Sequence, residues 1–213
     1  MRKLLLLGLV CALFVPSVAA PASAGRAKPV KTTLFMHGNY PVGEGMELTG
    51  FLVDGTYPKL DTTEPSAGPP KSQAYFAFGN DECVGNPLFP SWEGKLAGTI
   101  TGDLKLLVNT VAAPSTMIAR VWVDAPYMAC TSAAAGTDAF VKPNLEQEVE
   151  VPAGANELEI VFKKVKLPVV GNIVVEFHQT SPRNMGRVVY DSPEFPSRVE
   201  FKCIPASGSK TCA

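Results

Sequence analysis

Only His37 and His178 are available as imidazole bases in this chain, so any nucleophilic chemistry must be built around one of them. Ser, His and Asp are all present, but a triad is an arrangement and not a composition. His178 alternates with Glu176 along a predicted strand, which reads as a solvated face. His37 sits beside Gly38 at a strand end, which reads as a turn residue. No G-x-S-x-G elbow occurs. Three carboxylate pairs have acid/base spacing: Asp81-Glu82, Glu148 with Glu150, and Glu157 with Glu159. A spacing of two on a strand puts both side chains on one face, but any half-solvated strand looks the same. Asp54, Asp61, Glu64, Asp81, Glu82 and Asp138 fall in predicted loops and offer hard oxygen ligands for a structural calcium ion. No EF-hand spacing gathers them, so no cofactor and no metal site is assigned.

Trp122 is the most suggestive aromatic residue. Alternation places it with Ile118, Arg120 and Asp124, opposite Met117, Ala119, Val121 and Val123. An indole between Arg120 and Asp124 suits stacking on a sugar ring, with the charges bonding to hydroxyls, and Tyr127 extends the surface. The competing reading covers Trp122 with a long loop and makes it part of a second small core. Trp92, after Pro90 and before a long strand, reads as core.

Cysteine usage and the first residues speak to compartment. Arg2 and Lys3 precede an apolar run from Leu4 to Val15, and Ala22-Ser23-Ala24 follows. This is the pattern of a secretory signal peptide over residues 1–24. The run is too short for a membrane anchor. Removing 24 of 213 residues, with two basic side chains, leaves 189 residues carrying 17 Lys+Arg and 20 Asp+Glu, a net charge of −3. Such a chain has no basic field for nucleic acid or anionic lipid, and no second segment is long enough to span a bilayer. Four cysteines then remain: Cys83, Cys130, Cys203 and Cys212. An even count in an exported chain reads as two disulfides. Of three possible pairings, Cys203–Cys212 closes a short polar loop, and Cys83–Cys130 joins two long ones. With no C-x-x-C and two histidines, zinc is disfavoured.

The elements that must position these residues are strands. Helical periodicity is nearly absent, and period-two alternation recurs between Gly, Pro, Asn and Asp. Lys31–His37 alternates with Leu34 and Met36 on one side. Leu96–Val111 places Ile100, Leu104, Leu106 and Val108 one way and Thr99, Thr101, Asp103, Lys105 and Asn109 mostly the other. Thr116–Asp124, Gln147–Val151, Glu157–Leu167, Asn172–Gln179, Val188–Tyr190 and Arg198–Cys203 follow. Pro114, Pro152, Pro168 and Pro182 are expected between strands. Asp54–Lys71 and Ala125–Asn144 read as two long loops, and residues 25–31 as a flexible start. Many short strands with one apolar face each must bury those faces against one another. The expected architecture is a single all-β domain over residues 32–213: an antiparallel β-sandwich of jelly-roll, galactose-binding-like type.

The final third resembles a known family. Val151-Pro152-Ala153-Gly154 precedes a strand; then come Val188-Val189-Tyr190-Asp191-Ser192 and, after a short Pro-containing loop, Pro196-Ser197-Arg198-Val199-Glu200-Phe201. With the upstream Gly98-Thr99-Ile100-Thr101-Gly102 stretch, this is similar to the jelly-roll domain at the C-terminus of X-Pro dipeptidyl-peptidases. It also resembles secreted proteins of actinobacterial type in which such a domain stands alone. The resemblance covers roughly residues 96–201. In those peptidases catalysis belongs to a separate α/β-hydrolase domain, for which this chain has no room. The resemblance therefore implies an accessory sandwich and transfers no catalytic residue. The combined expectation is a secreted, non-catalytic module that binds a carbohydrate or cell-envelope polymer, with a structural or protein-interaction module as the alternative and a hydrolase as the third.

Overall fold

A computed structural model describes residues 27–38, 59–75, 91–112, 114–125, 142–179 and 186–213. Those residues form eleven strands and no helix: β1 Val30–His37, β2 Lys59–Asp61, β3 Lys71–Tyr75, β4 Ser91–Lys95, β5 Gly98–Ala112, β6 Ser115–Val123, β7 Leu145–Val151, β8 Gly154–Val169, β9 Asn172–Gln179, β10 Gly186–Tyr190 and β11 Arg198–Pro205. They join in one sheet in the order β3-β10-β5-β11-β1-β2-β4-β9-β6-β7, with β8 on the other edge of β5. The sheet curls so that its two halves face each other as a β-sandwich of jelly-roll-like form.

Four of the strands are one long hairpin folded in half. β5 pairs with β8, and β6 pairs with β7, both antiparallel. The register that sets Leu104 against Phe162 and Ala112 against Gly154 continues through Ser115 against Val151 to Val121 against Leu145, with no residue gained or lost. That register places Pro114 opposite Pro152 at the fold. Neither has an amide hydrogen, so the ladder is interrupted on both strands at one level. The first half of the hairpin lies in one layer and the second half in the other.

The free edge of β5 is shared. β11 takes Gly98 to Leu107 and β10 takes Asn109 to Val111. Ser197, fully buried, fills the junction: its hydroxyl donates to the Val189 carbonyl at 2.6 Å and accepts from the Asn109 amide at 2.9 Å. Asn109, expected on the outer face, is accordingly buried.

The core lies between the layers. Leu34 and Met36 of β1, Leu104 and Leu106 of β5, and Met117 and Val121 of β6 are wholly buried in it. Trp92 is its centre, edge-on to Phe177 at 5.9 Å and to Tyr190 at 5.3 Å. The apolar phase of β8 breaks between Phe162 and Val165, which are three apart and both buried. A bulge mends it. Between Gly102–Val165 and Leu104–Phe162, β8 advances one residue more than β5. Lys164 takes φ 56°, and its amide donates to Asp103 Oδ1 at 3.3 Å.

Several expectations are corrected. The sheet is mixed, because β2 and β4 run parallel through Lys59–Glu93 and Leu60–Gly94. β1 starts at Val30, paired with Cys203, so residues 30 and 31 belong to the sheet and not to a flexible start. The loop expected over Asp54–Lys71 holds β2 and gives its last residue to β3. Pro168 lies inside β8, opposite Thr99; β5 is the strand that β8 pairs with, and an edge strand tolerates a missing donor. Cys203 and Cys212 are bonded, as expected. Gly98, at φ 153°, packs beneath this bridge: a Cβ there would lie 2.5 Å from the Ile204 carbonyl oxygen and 2.8 Å from each sulfur. Cys83 and Cys130 lie outside the described residues.

Candidate functional site

A polar joint forms where β1, β2, β3 and the corner after β10 meet. The ladder sets His37 opposite Lys59 at the end of β1. Its side chain is 11% exposed, Nδ1 is 2.7 Å from Asp191 Oδ1, and Nε2 is 2.9 Å from the Thr63 carbonyl oxygen. Asp61 Oδ1 is 3.3 Å from the same Nε2. Lys71, the first residue of β3, donates to the second oxygen of Asp191 at 2.6 Å. Asp61 also accepts from the Thr63 amide at 2.8 Å and pairs with Lys59. Asp191 lies in the left-handed region at φ 62°, a conformation that Asp accepts more readily than most residues. Gly38 permits close approach here: a Cβ on it would be 2.9 Å from the Tyr190 hydroxyl.

The electrostatics follow from these partners. Burial pushes the Asp191 carboxyl up, but the hydrogen bonds and charges of Lys71 and His37 outweigh it and hold the group below the usual carboxylate range. Asp61 behaves alike: burial raises it, while Lys59, Thr63 and His37 bring it lower. The joint therefore holds ionised carboxylates clamped by cations. It lacks the form of a nucleophile–base pair, since Nε2 of His37 is aimed at a backbone carbonyl and Nδ1 at Asp191.

The sequence missed this joint. His37 read as a turn residue, Asp61 as a loop oxygen, and Asp191 as part of a family cadence. The His37–Asp191 contact spans 154 residues, and nothing local announces it. The available hint is that three ionisable residues each stand at the end of a strand.

The proposed sugar platform takes apart differently. Trp122 has no exposed surface and packs with Ala125 and Val174 in a second small cluster. The indole is buried within that cluster, and the long loop expected to cover it lies almost wholly outside the described residues. Arg120 is 7% exposed; its Nε donates to Glu146 at 2.7 Å, and its Nη1 is 3.8 Å from the buried Glu176. Asp124, at φ 54°, accepts from the amides of Val170 at 2.9 Å, Gly171 at 2.7 Å and Asn172 at 3.4 Å. These three residues hold the fold together. Alternation put all three on a polar outer face; Asp124 is exposed there, but Trp122 and Arg120 are buried, which alternation alone does not reveal.

The remaining candidates stay apart. Glu148 and Glu150 are exposed on β7, and Glu157 and Glu159 on β8, with Glu159 paired to Lys105. Glu64 is exposed, and Asp61 is engaged in the joint. No group of three or more His, Cys, Asp or Glu side chains is placed to hold a metal among the described residues. Asp54, Asp81, Glu82, Tyr127, Asp138 and the side chain of His178 lie outside them. Among them, too, no helix is long and apolar enough to cross a membrane.

No protein-family model matches this chain, and no curated protein sequence does. Solved structures with a similar chain course include an aminopeptidase from the marine sediment archaeon Thaumarchaeota archaeon, at 10% identity and a TM-score of 0.49, covering 82% of this chain and 37% of that one. A CocE/NonD family hydrolase from Staphylococcus aureus matches at 8% identity and a TM-score of 0.48, covering 83% and 36%. An alpha-amino acid ester hydrolase matches at 12% and 0.44, covering 82% and 36%. This chain spans little more than a third of the length of each. The names of these neighbours, an aminopeptidase and two hydrolases, describe those proteins. At this level of likeness they carry no argument about activity.

Proposed function

We propose that this chain is an exported, non-catalytic β-sandwich that acts as an extracellular interaction module. The observation that carries this reading is the engagement of its polar residues within the fold. Both ring nitrogens of His37 have protein partners, Arg120 is tied to Glu146, and Asp124 is tied to three amides. Export is supported by the signal-peptide pattern of residues 1–24 and by the Cys203–Cys212 bridge. Burial of Trp122 removes the side chain that offered a sugar platform and leaves the family resemblance as the remaining ground for a carbohydrate or cell-envelope polymer, so a protein partner is the target we favour.

The test is retention of the purified protein on a panel of soluble and insoluble polysaccharides, peptidoglycan included, alongside turnover of generic esters, peptides and glycosides. The expected result is no saturable glycan retention and no turnover. Saturable retention would restore the glycan reading, and turnover abolished at a single residue would replace both with a hydrolase. Trp122→Ala is a poor probe, because emptying a fully buried indole site costs about 3–5 kcal/mol.

A further inference from the structure

Among the described residues, β8 pairs with β5 and with no other strand, so its second edge is open. An open edge is a template for another strand unless it is blunted. The second half of β8 is blunted. Lys164 is left-handed at the bulge, Lys166 is exposed, and Pro168 lacks a donor. The first half is not. Glu157 to Phe162 runs in unbroken register with β5, without glycine or proline, and Lys163 follows before the left-handed residue.

The side chains of that stretch are self-complementary. Leu158, Ile160 and Phe162 share the core face with Val108, Leu106 and Leu104 of β5, while Glu157, Glu159, Val161 and Lys163 alternate on the other face. In an antiparallel pair of copies with the two-fold at Ile160, Glu157 of one copy meets Lys163 of the other. Leu158 meets Phe162, Ile160 meets its own counterpart, and Glu159 lies opposite Val161 and diagonal to Lys163. The half-buried Leu158 gains an aromatic cover. Glu159 already pairs with Lys105, whereas Glu157 and Lys163 have no ion-pair partner among the described residues. The other edge strand at this side, β7, is the contrast. Two copies of β7 meeting about Glu148 would set Glu146 against Glu150 and Glu148 against itself, like charges throughout. We propose that the Glu157–Lys163 edge of β8 is a homodimer interface, at which two copies of this chain join antiparallel into one continuous sheet. The pairing depends neither on export nor on a glycan partner.

The test is sedimentation velocity of the purified protein across the micromolar range, with two charge reversals and their combination. The parent should show a monomer–dimer equilibrium that shifts with concentration. Glu157→Lys and Lys163→Glu each set like charges opposite one another at both symmetric positions, and each should weaken association on the order of tenfold. The combined variant exchanges the signs of both pairs and should recover most of the dimer. Both side chains are exposed, so an unchanged circular dichroism spectrum is expected of every variant. In the parent, the amides of Glu157–Lys163 that point away from β5 should exchange more slowly as concentration rises, while those of β7 do not change. A protein that stays monomeric throughout overturns the proposal and leaves this edge to a strand from a different protein. A dimer indifferent to both single reversals overturns it too, as does a combined variant that stays as weak as they are.

Discussion

Asp124 accepts from three successive amides in the turn between β8 and β9, and its own amide donates to the Asn172 carbonyl at 2.9 Å. The hairpin built from β5, β6, β7 and β8 doubles back at Pro114 and Pro152, which brings the end of β6 beside the end of β8. Asp124 fastens those two ends. Asn144, whose side chain accepts from the Val123 amide at 2.8 Å, supports the same end. Asp124→Ala should lower stability by about 1–2 kcal/mol, since charged acceptors are strong but these contacts are exposed. Asp124→Asn, which keeps one acceptor oxygen and tolerates the left-handed conformation, should lose less than half of that. Urea unfolding of the two variants, with an unchanged slope, is the check; equal stability of all three proteins would remove Asp124 from this role.

At the scale of elements, strand phase was legible in the sequence and coverage was not. Leu34 with Met36, and Ile173 with Val175 and Phe177, alternate as written and are all wholly buried. β2 escaped because three residues, Lys59-Leu60-Asp61, offer one apolar side chain and no period. The joint at His37 escaped because sheet pairing brings together residues from four remote segments. The bulge in β8 was not read from the sequence, where Glu157–Leu167 runs as one strand: only the burial of both Phe162 and Val165, three residues apart, shows that an extra residue is needed between them. Lys164 adopts φ 56° there, at a cost that glycine avoids. Lys164→Gly should therefore be neutral or stabilising within about 1 kcal/mol, the relief of the left-handed strain being offset by greater freedom of the unfolded chain. Deleting Lys164 should instead turn either Val165 or Phe162 outward with everything beyond it, as a one-residue slip does. Thermal unfolding of the pair separates the two outcomes; a harmless deletion would mean that the bulge does not set the phase of β8.

Across the whole molecule, acidic groups held low tie the first layer together at two places. Asp61 and Asp191 clamp β1, β2, β3 and the β10 corner. Glu200 of β11 pairs with Lys31 of β1 at 3.3 Å and with Arg198 of its own strand at 2.8 Å, and the Arg198 hydrogen bond is the main cause of its lowered pKa, against a smaller opposing effect of burial. A carboxyl whose folded pKa lies below its unfolded one contributes stability that is fully present above the unfolded value. That contribution is lost as pH falls through the folded one. Stability should therefore be level from neutral pH down to about pH 5 and decline below about pH 4, where unperturbed Asp and Glu take up protons. Asp191→Asn isolates the largest knot: asparagine keeps the left-handed backbone comfortable and a polar contact in place but removes the charge. The variant should melt lower than the parent at neutral pH, and the gap should narrow as the pH drops, because the parent loses the same charge by protonation. A gap that stays constant from neutral to acid would mean that the Asp191 charge does not hold the joint, and that shape and hydrogen bonding there suffice.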